Sequence, residues 1–381
     1  MSDYTYRLFK PFIADDSWKR VKNVLESGMI GEGPEVAKFE DNLSSLLDTK
    51  HVVATNSGTS SLIMALKLAG VGPGDHVIST PVTMAATNCA IKAVGAEPLF
   101  VDVEKNNLFL DIEQTRIAVL GDKEPKAVIG VAMCGLVPST LESFSKLGIP
   151  FILDAAHAFG SLFDNQPLCH FADYTCYSFQ AIKTITTGDG GALVCKDSLQ
   201  HEKAKRMKWF GLDRAKPNEN RLKKQDSADI IEAGFKFHMN DISAAIGNAN
   251  LGHLDDILKT SRRNAEIYNK KLNIINADDK IGYHVKTLYP SYYTNPSWWV
   301  YGLYADYRDE LIRYLNCHSI EAAPVWKRND QMTAFGPAGA DFEITSKYEH
   351  QFLLIPSGWW QSVEDTEFIA SKISEFYKLK S

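Results

Sequence analysis

Between about residue 50 and residue 195 short apolar runs rich in β-branched residues recur, each separated from the next by a segment with helical spacing, and this alternation limits the fold more than any other feature. The runs are His51 to Ala54, His76 to Thr80, Pro98 to Val103, Ala127 to Met133, Pro150 to Asp154, Asp173 to Ser178 and Ala192 to Cys195. Apolar runs without polar alternation need cover on both faces, and helices between them supply both the cover and the crossovers that parallel strands require. The expectation is an α/β fold with a mainly parallel central sheet. In the first helix Leu62, Ala65, Leu66 and Ala69 share one face, and Gly70 stands where a C-cap glycine belongs.

A further helix is expected to start near Asn240 or Asp241, with Ile242, Ala245, Ile246 and Ala249 as its stripe, and to bridge two domains. Beyond about residue 260 the pattern changes. Trp298 to Ala305 alternates in part, and helical spacing returns near Arg308 to Asn316 and Glu364 to Lys378, which implies a smaller α+β domain. The division expected is a large domain over residues 1–250, N-terminal segment included, and a small one over 251–381. Ala215 to Ser227 is polar and aperiodic, a surface loop or active-site flap.

Bulk properties narrow the function. With 381 residues, 45% of them hydrophobic, the chain can bury a large core. A net charge of -6 without a basic block is the wrong footprint for a nucleic-acid binder. The six cysteines have no CxxC or zinc-type spacing and read as reduced core residues. No stretch approaches the roughly 20 apolar residues of a membrane span, and the N-terminus lacks an apolar leader, so no membrane association and a cytoplasmic location are expected.

Three places carry candidate chemistry. Asn56-Ser57-Gly58-Thr59-Ser60 lies between a strand and a helix, where backbone N–H groups and the helix dipole make an anion site; the same residues also suit an ordinary N-cap. Asp154 ends an apolar strand at the sheet edge where open α/β folds place ligands, and either holds a protonated ring nitrogen or caps the residues that follow. Lys183 follows the next strand among apolar side chains, hydroxyls and glycines, in Cys176-Tyr177-Ser178-Phe179-Gln180-Ala181-Ile182-Lys183 and on to Gly191. An amine so placed can lose its proton near neutrality and attack a carbonyl, although most lysines are merely solvated.

Taken together, in this order, the three resemble the DegT/DnrJ/EryC1/StrS sugar aminotransferases. The similarity runs from Gly28-Met29-Ile30-Gly31-Glu32-Gly33-Pro34 through Ser57-Gly58-Thr59, Asp154 to Gly160 and Ser178 to Gly191, and on to Gly234-Phe235-Lys236-Phe237 and Ala244-Ala245-Ile246-Gly247. The resemblance implies a fold-type I, aspartate aminotransferase-like enzyme that uses pyridoxal 5′-phosphate, with pyridoxamine 5′-phosphate formed during turnover. It implies that Lys183 carries the cofactor as a Schiff base and moves the proton. Asp154 would then pair with the pyridine nitrogen, His157 would lie near the ring or its 3-hydroxyl, and Gly58, Thr59 and Ser178 would hold the phosphate. It further implies a homodimer with shared active sites, in which Lys236 reaches the partner's phosphate.

Three positions depart from the common pattern. Lys236 stands where relatives more often have Asn, Met84 where many have an aromatic that stacks on the cofactor, and Gln180 where His is frequent. A thioether can still pack on a ring. In Ala323-Pro324-Val325-Trp326-Lys327-Arg328-Asn329-Asp330, Trp326 is a candidate cover for a base or sugar and Lys327 and Arg328 for a diphosphate, against the alternative of a solvated loop. The pairs Trp298-Trp299 and Trp359-Trp360 read as packing rather than as a carbohydrate platform.

The function expected is transfer of an amino group from an amino acid, glutamate in particular, to a 3- or 4-keto group of a nucleotide-linked deoxysugar. A cyclitol or other keto substrate, and a non-catalytic sensor of the same fold, are the alternatives. A dehydratase of this fold would replace Lys183 by His.

Overall fold

The computed structural model describes residues 4–213, 229–277, 285–336 and 341–380; the Ala215 to Ser227 loop lies outside the described residues. All seven expected runs join one sheet. Across it the strands are Val52–Thr55, Gly191–Cys195, Tyr174–Ser178, Phe151–Asp154, Ala127–Val131, His76–Ser79 and Glu97–Phe100. The last five in this order pair in parallel, with Leu153 opposite Thr175 and Val131 opposite Asp154. Gly191–Cys195 instead runs antiparallel to both neighbours. Its connection from Ser178 contains no helix, and without a crossover element a strand can only return alongside its predecessor in the opposite sense.

Helices complete this layer. Gly58–Leu68 buries Leu62, Ala65 and Leu66 on the sheet, and Ser57 caps it by accepting from the Ser60 amide. The next turn passes through Gly70 at φ 79°, a left-handed conformation that favours glycine. Asp241–Leu251 is capped by Asn240, as expected. It does not bridge the domains. Its Asp241 carboxylate accepts from the amides of Gly33, Glu35 and Val36, so it is tied to the start of Pro34–Leu46 inside the large layer.

The bridging role falls to the next helix, Leu254–Ala277, which the sequence reading passed over because its apolar stripe is narrow and set among charges. Leu254, Ile257 and Leu258 belong to the large core. About two to five turns further on, Ala265, Tyr268 and Leu272 belong to the second core. One rigid rod thus has its two ends in different cores.

The second core sits under the antiparallel strands Val285–Thr287, Tyr301–Ala305 and Phe352–Ile355. Helices Arg308–Cys317 and Val363–Lys378 bury Leu311, Leu315, Ile369 and Ile373 against it. Part of the N-terminal segment packs here rather than on the large layer: Tyr6 bridges Ile320, Leu8 is in this core, and its amide donates to Glu321 at 2.8 Å. Trp359 and Trp360 fasten that segment, donating from Nε1 to the carbonyls of Lys10 and Arg7.

The cysteines are unpaired; four are buried as expected, but Cys89 and Cys317 are exposed. Among the described residues no helix is long and apolar enough to cross a membrane.

Candidate active site

At the carboxyl ends of the parallel strands lies a cavity of about 350 Å³. Strand ends are where this sheet can offer side chains without breaking its ladder, and Asp154, Ser178 and Lys183 all enter the cavity from there.

Asp154 is 5% exposed. Its Oδ2 accepts from Thr87 Oγ1 at 2.7 Å and its Oδ1 from the Ala156 amide at 3.1 Å. No helix begins there, so the carboxylate is not a helix cap. Burial pushes its carboxyl above the usual carboxylate range, against the pull of Thr87, the Ala156 amide and Lys183. The opposite shift falls on Lys183: part of its surface faces the cavity, yet protein packs densely round the amine, and this burial lowers its pKa to about 7, opposed by Asp154. Its Nζ lies 4.0 Å from the centre of the Trp299 ring. Trp299 is held in turn by its Nε1, which donates to the Ile182 carbonyl at 2.6 Å.

His157 is buried between two tryptophans, its ring 4.2 Å from that of Trp299 and 5.4 Å from that of Trp326. Burial, and Lys183 nearby, push its pKa well below the ordinary value and keep it neutral. Its Nδ1 is enclosed without a hydrogen-bond partner among the described residues. Such an atom is costly unless something in the cavity pairs with it.

At the other end Gly58 and Thr59 open their helix onto the cavity beside Ser178. A Cβ on Gly58 would lie 2.9 Å from that of Ser178, and one on Gly191 would lie 2.5 Å from the Ser57 carbonyl carbon. Only glycines allow the helix start and the strand ends to meet this closely, and the meeting gives a corner of N–H and hydroxyl donors under a positive helix terminus. Met84 lines the cavity with its sulfur accepting from the Ala86 amide at 3.1 Å.

These groups fit pyridoxal 5′-phosphate. The acid suits a protonated ring nitrogen, the amine an aldehyde, the neutral imidazole of His157 on the cavity wall a position beside the ring, and the donor corner a phosphate. Burial makes the Asp154 charge expensive alone, and a pyridinium against it would remove that expense.

Three expected site residues lie elsewhere. Lys236 is exposed outside the cavity, its Nζ 4.8 Å from the Trp209 ring and its carbonyl accepting from Asn56 Nδ2 at 3.3 Å. It therefore adjoins the Asn56–Ser57 turn without entering the site in this chain. Trp326 lines the cavity, but Lys327 is exposed outside its lining. Arg328 is 6% exposed and committed internally: Nε and Nη2 donate to the two oxygens of Asp330 at 2.9 and 2.6 Å, and Nη1 donates to Ser346. Its expected contact with a diphosphate is corrected accordingly, because a doubly bonded buried guanidinium has no face left to offer.

The sequence reading missed Thr87 and Trp299. Thr87 was visible only as the end of the Pro81 to Thr87 run that contains Met84. Trp299 belonged to a pair assigned to packing; both tryptophans do pack in the second core, and Trp299 in addition lines the cavity and covers the lysine.

Comparison with known proteins agrees with this geometry. The profile of the DegT/DnrJ/EryC1/StrS aminotransferase family matches residues 11–374. The spore coat polysaccharide biosynthesis protein SpsC of Bacillus subtilis (strain 168) is 29% identical, over 97% of this chain and 96% of its own length. The UDP-4-amino-4-deoxy-L-arabinose–oxoglutarate aminotransferase of Shewanella sediminis is likewise 29% identical, over 98% of this chain and 99% of its own. The crystal structure of the sugar aminotransferase CalS13 from Micromonospora echinospora matches with a TM-score of 0.90 at 29% identity, covering 97% of this chain and all (100%) of that one.

Proposed function

That this chain belongs to the DegT/DnrJ/EryC1/StrS aminotransferase family is the premise from which we propose its reaction: transfer of an amino group from glutamate to the 3- or 4-keto carbon of a nucleotide-linked deoxysugar. The chain is a pyridoxal-phosphate-dependent transaminase. The observation that carries the proposal is the pairing, in one cavity, of a lysine amine with a pKa of about 7 and a buried carboxylate. The substrate class is supported by the relative named for UDP-4-amino-4-deoxy-L-arabinose, and the donor by its second name, since oxoglutarate is what glutamate becomes when it gives up its amine.

When bound, pyridoxal phosphate supplies a pyridinium ring that drains electrons from the carbon losing its proton. Lys183 Nζ would hold the cofactor's aldehyde carbon and would serve as the base for the donor's α-proton; its lowered pKa leaves much of the amine unprotonated at neutral pH. Asp154 would keep the proton on the ring nitrogen. His157, neutral, would lie at the ring hydroxyl, and Gly58, Thr59 and Ser178 would hold the phosphate. Trp326 covers the sugar, and the exposed Lys327 beside it is the cation for the diphosphate. We place Lys236 at the phosphate of a second copy of the chain in a homodimer.

The test is incubation with glutamate and UDP-, GDP- and dTDP-linked 3- and 4-keto sugars, with products read by mass. A gain of one amine on a nucleotide sugar is expected. Amination of free keto-cyclitols, with none of any nucleotide sugar, would overturn the substrate assignment.

A further inference from the structure

From the cavity wall, where Thr83 and Thr87 are part of the lining, a chain of buried polar side chains that the reaction described above does not use runs back to Asn88 and Asn329. Thr83 and Thr87 are 3% and 1% exposed, and Asn88 and Asn329 are fully buried (0%). Burying such groups costs stability unless each is paired, and each of these is. Thr87 Oγ1 donates to Asp154 Oδ2 at 2.7 Å. A hydroxyl has one hydrogen, so the 2.9 Å contact between the Thr83 and Thr87 hydroxyls has Thr83 as donor. The Thr83 carbonyl accepts from Asn329 Nδ2 at 2.7 Å. Asn329 Oδ1 accepts from Asn88 Nδ2 at 2.9 Å, and the Asn329 amide donates to the Pro81 carbonyl at 2.9 Å.

Asn329 matters in this chain because it fastens the backbone of Thr83, two residues before the helix Ala85–Ala93 that carries Thr87. The Thr83 hydroxyl occupies a lone pair on Thr87. The single Thr87 hydrogen is thereby directed to Asp154, and its donation is strengthened by the bond it receives.

We propose that Thr83 and Asn329 are positioning residues for the Asp154 carboxylate, acting through the hydroxyl of Thr87. Asn329 lies three residues after Trp326, so the same clasp fixes the aromatic wall of the cavity against Pro81 to Met84. The C-terminal part of the chain thus both covers the substrate and sets the hydrogen bonding of the acid beneath it. This inference rests on Asp154 being the partner of the cofactor's ring nitrogen.

The holoenzyme tests it through paired variants, since Thr83→Val keeps the shape and removes the hydroxyl while Thr83→Ser keeps the hydroxyl. The readouts are the pH at which the cofactor's visible absorbance titrates, kcat, and KM for the keto-sugar. Thr87→Val should move the titration by about one pH unit. Thr83→Val should move it the same way by about a third of a unit and lower kcat about twofold with KM unchanged, and Thr83→Ser should match the wild type. Asn329→Ala should move the titration as Thr83→Val does and also raise KM. Wild-type titration in Thr83→Val, or a Thr83→Ser variant that behaves like Thr83→Val, overturns the inference. If Asp154→Asn itself leaves absorbance and kcat unchanged, the reading of Asp154 fails and takes the inference with it; a strong Asp154→Asn effect with a silent Thr83→Val sinks the inference alone.

Discussion

The two walls of the cavity are built differently. On the large-layer side Asp154, Ser178 and Lys183 stand at or just beyond strand ends, and Gly58 and Thr59 at a helix start. Each is placed by elements next to it in sequence. On the other side Trp299 and Trp326 arrive from more than a hundred residues away, held by Trp299 Nε1 on the Ile182 carbonyl and by Asn329 on Thr83 and Pro81. Chemistry sits on the wall that the parallel sheet positions locally. The aromatic wall, which we propose covers the substrate, depends on long-range bonds, and the two should fail differently when cut.

The largest effect belongs to the first wall. Lys183→Ala should lower turnover by at least about a thousandfold and abolish the visible absorbance of bound cofactor, with thermal unfolding close to wild type. Turnover that survives would remove the lysine from its role. The apoprotein offers a pH test of the same residue. A lysine with a depressed pKa gains its reactive free base as pH rises, so cofactor capture should accelerate through about pH 7 and then level off.

Asp154→Asn should cost roughly a hundredfold in kcat and little stability. The sign for stability follows from the raised pKa. The folded apoprotein holds this proton more tightly than the unfolded chain, so the contribution of Asp154 to stability is greatest below the usual carboxylate range and falls as pH climbs through the raised value. Asn carries no such penalty, and the variant's apoprotein should be at least as stable as wild type at pH 7. Loss of stability in parallel with activity would make Asp154 a structural residue.

This asymmetry also explains what could be read from the sequence. Strand-end residues follow runs whose period is visible, so the sheet, Asp154 and Lys183 were legible from Phe151-Ile152-Leu153 and from the block ending at Gly191. The reversed direction of Gly191–Cys195 depended on a missing crossover, which a list of apolar runs does not register. Trp299 was hidden because a large aromatic is usually core, and both Trp298 and Trp299 are; only the fold shows that one of the two also faces the cavity. Arg328 was misread from its place beside Lys327, although an acid two residues on, at Asp330, was a visible candidate partner. Pairing of that kind is settled only by burial.

On the second wall, therefore, Arg328→Ala should act on folding, not on recognition. Removing one partner of a buried ion pair strands the other, at a cost of about 3–5 kcal/mol, while Lys327→Ala, at an exposed position, should leave stability within about 0.5 kcal/mol and raise KM for the nucleotide sugar. Denaturant unfolding and steady-state kinetics on both variants check this. A stable Arg328→Ala protein with a raised KM would return the arginine to the substrate.

The smallest expected signal concerns the third wall that we propose a second copy of the chain supplies. Lys236 lies outside the cavity over the Trp209 ring, while its backbone is fastened beside the Asn56–Ser57 turn by Asn56 Nδ2 and by the Asn56 amide on the Phe237 carbonyl. An exposed lysine so close to an anion-binding helix start can serve a phosphate held by a second copy. If it does, Lys236→Glu and Lys183→Ala chains should each be inactive alone but complement when mixed. Random exchange makes half the dimers mixed, and each mixed dimer has one site with both lysines intact, so activity should reach about a quarter of wild type. Demonstrated exchange without recovered activity would leave Lys236 as a surface residue, and the site would then be complete with the two walls of one chain.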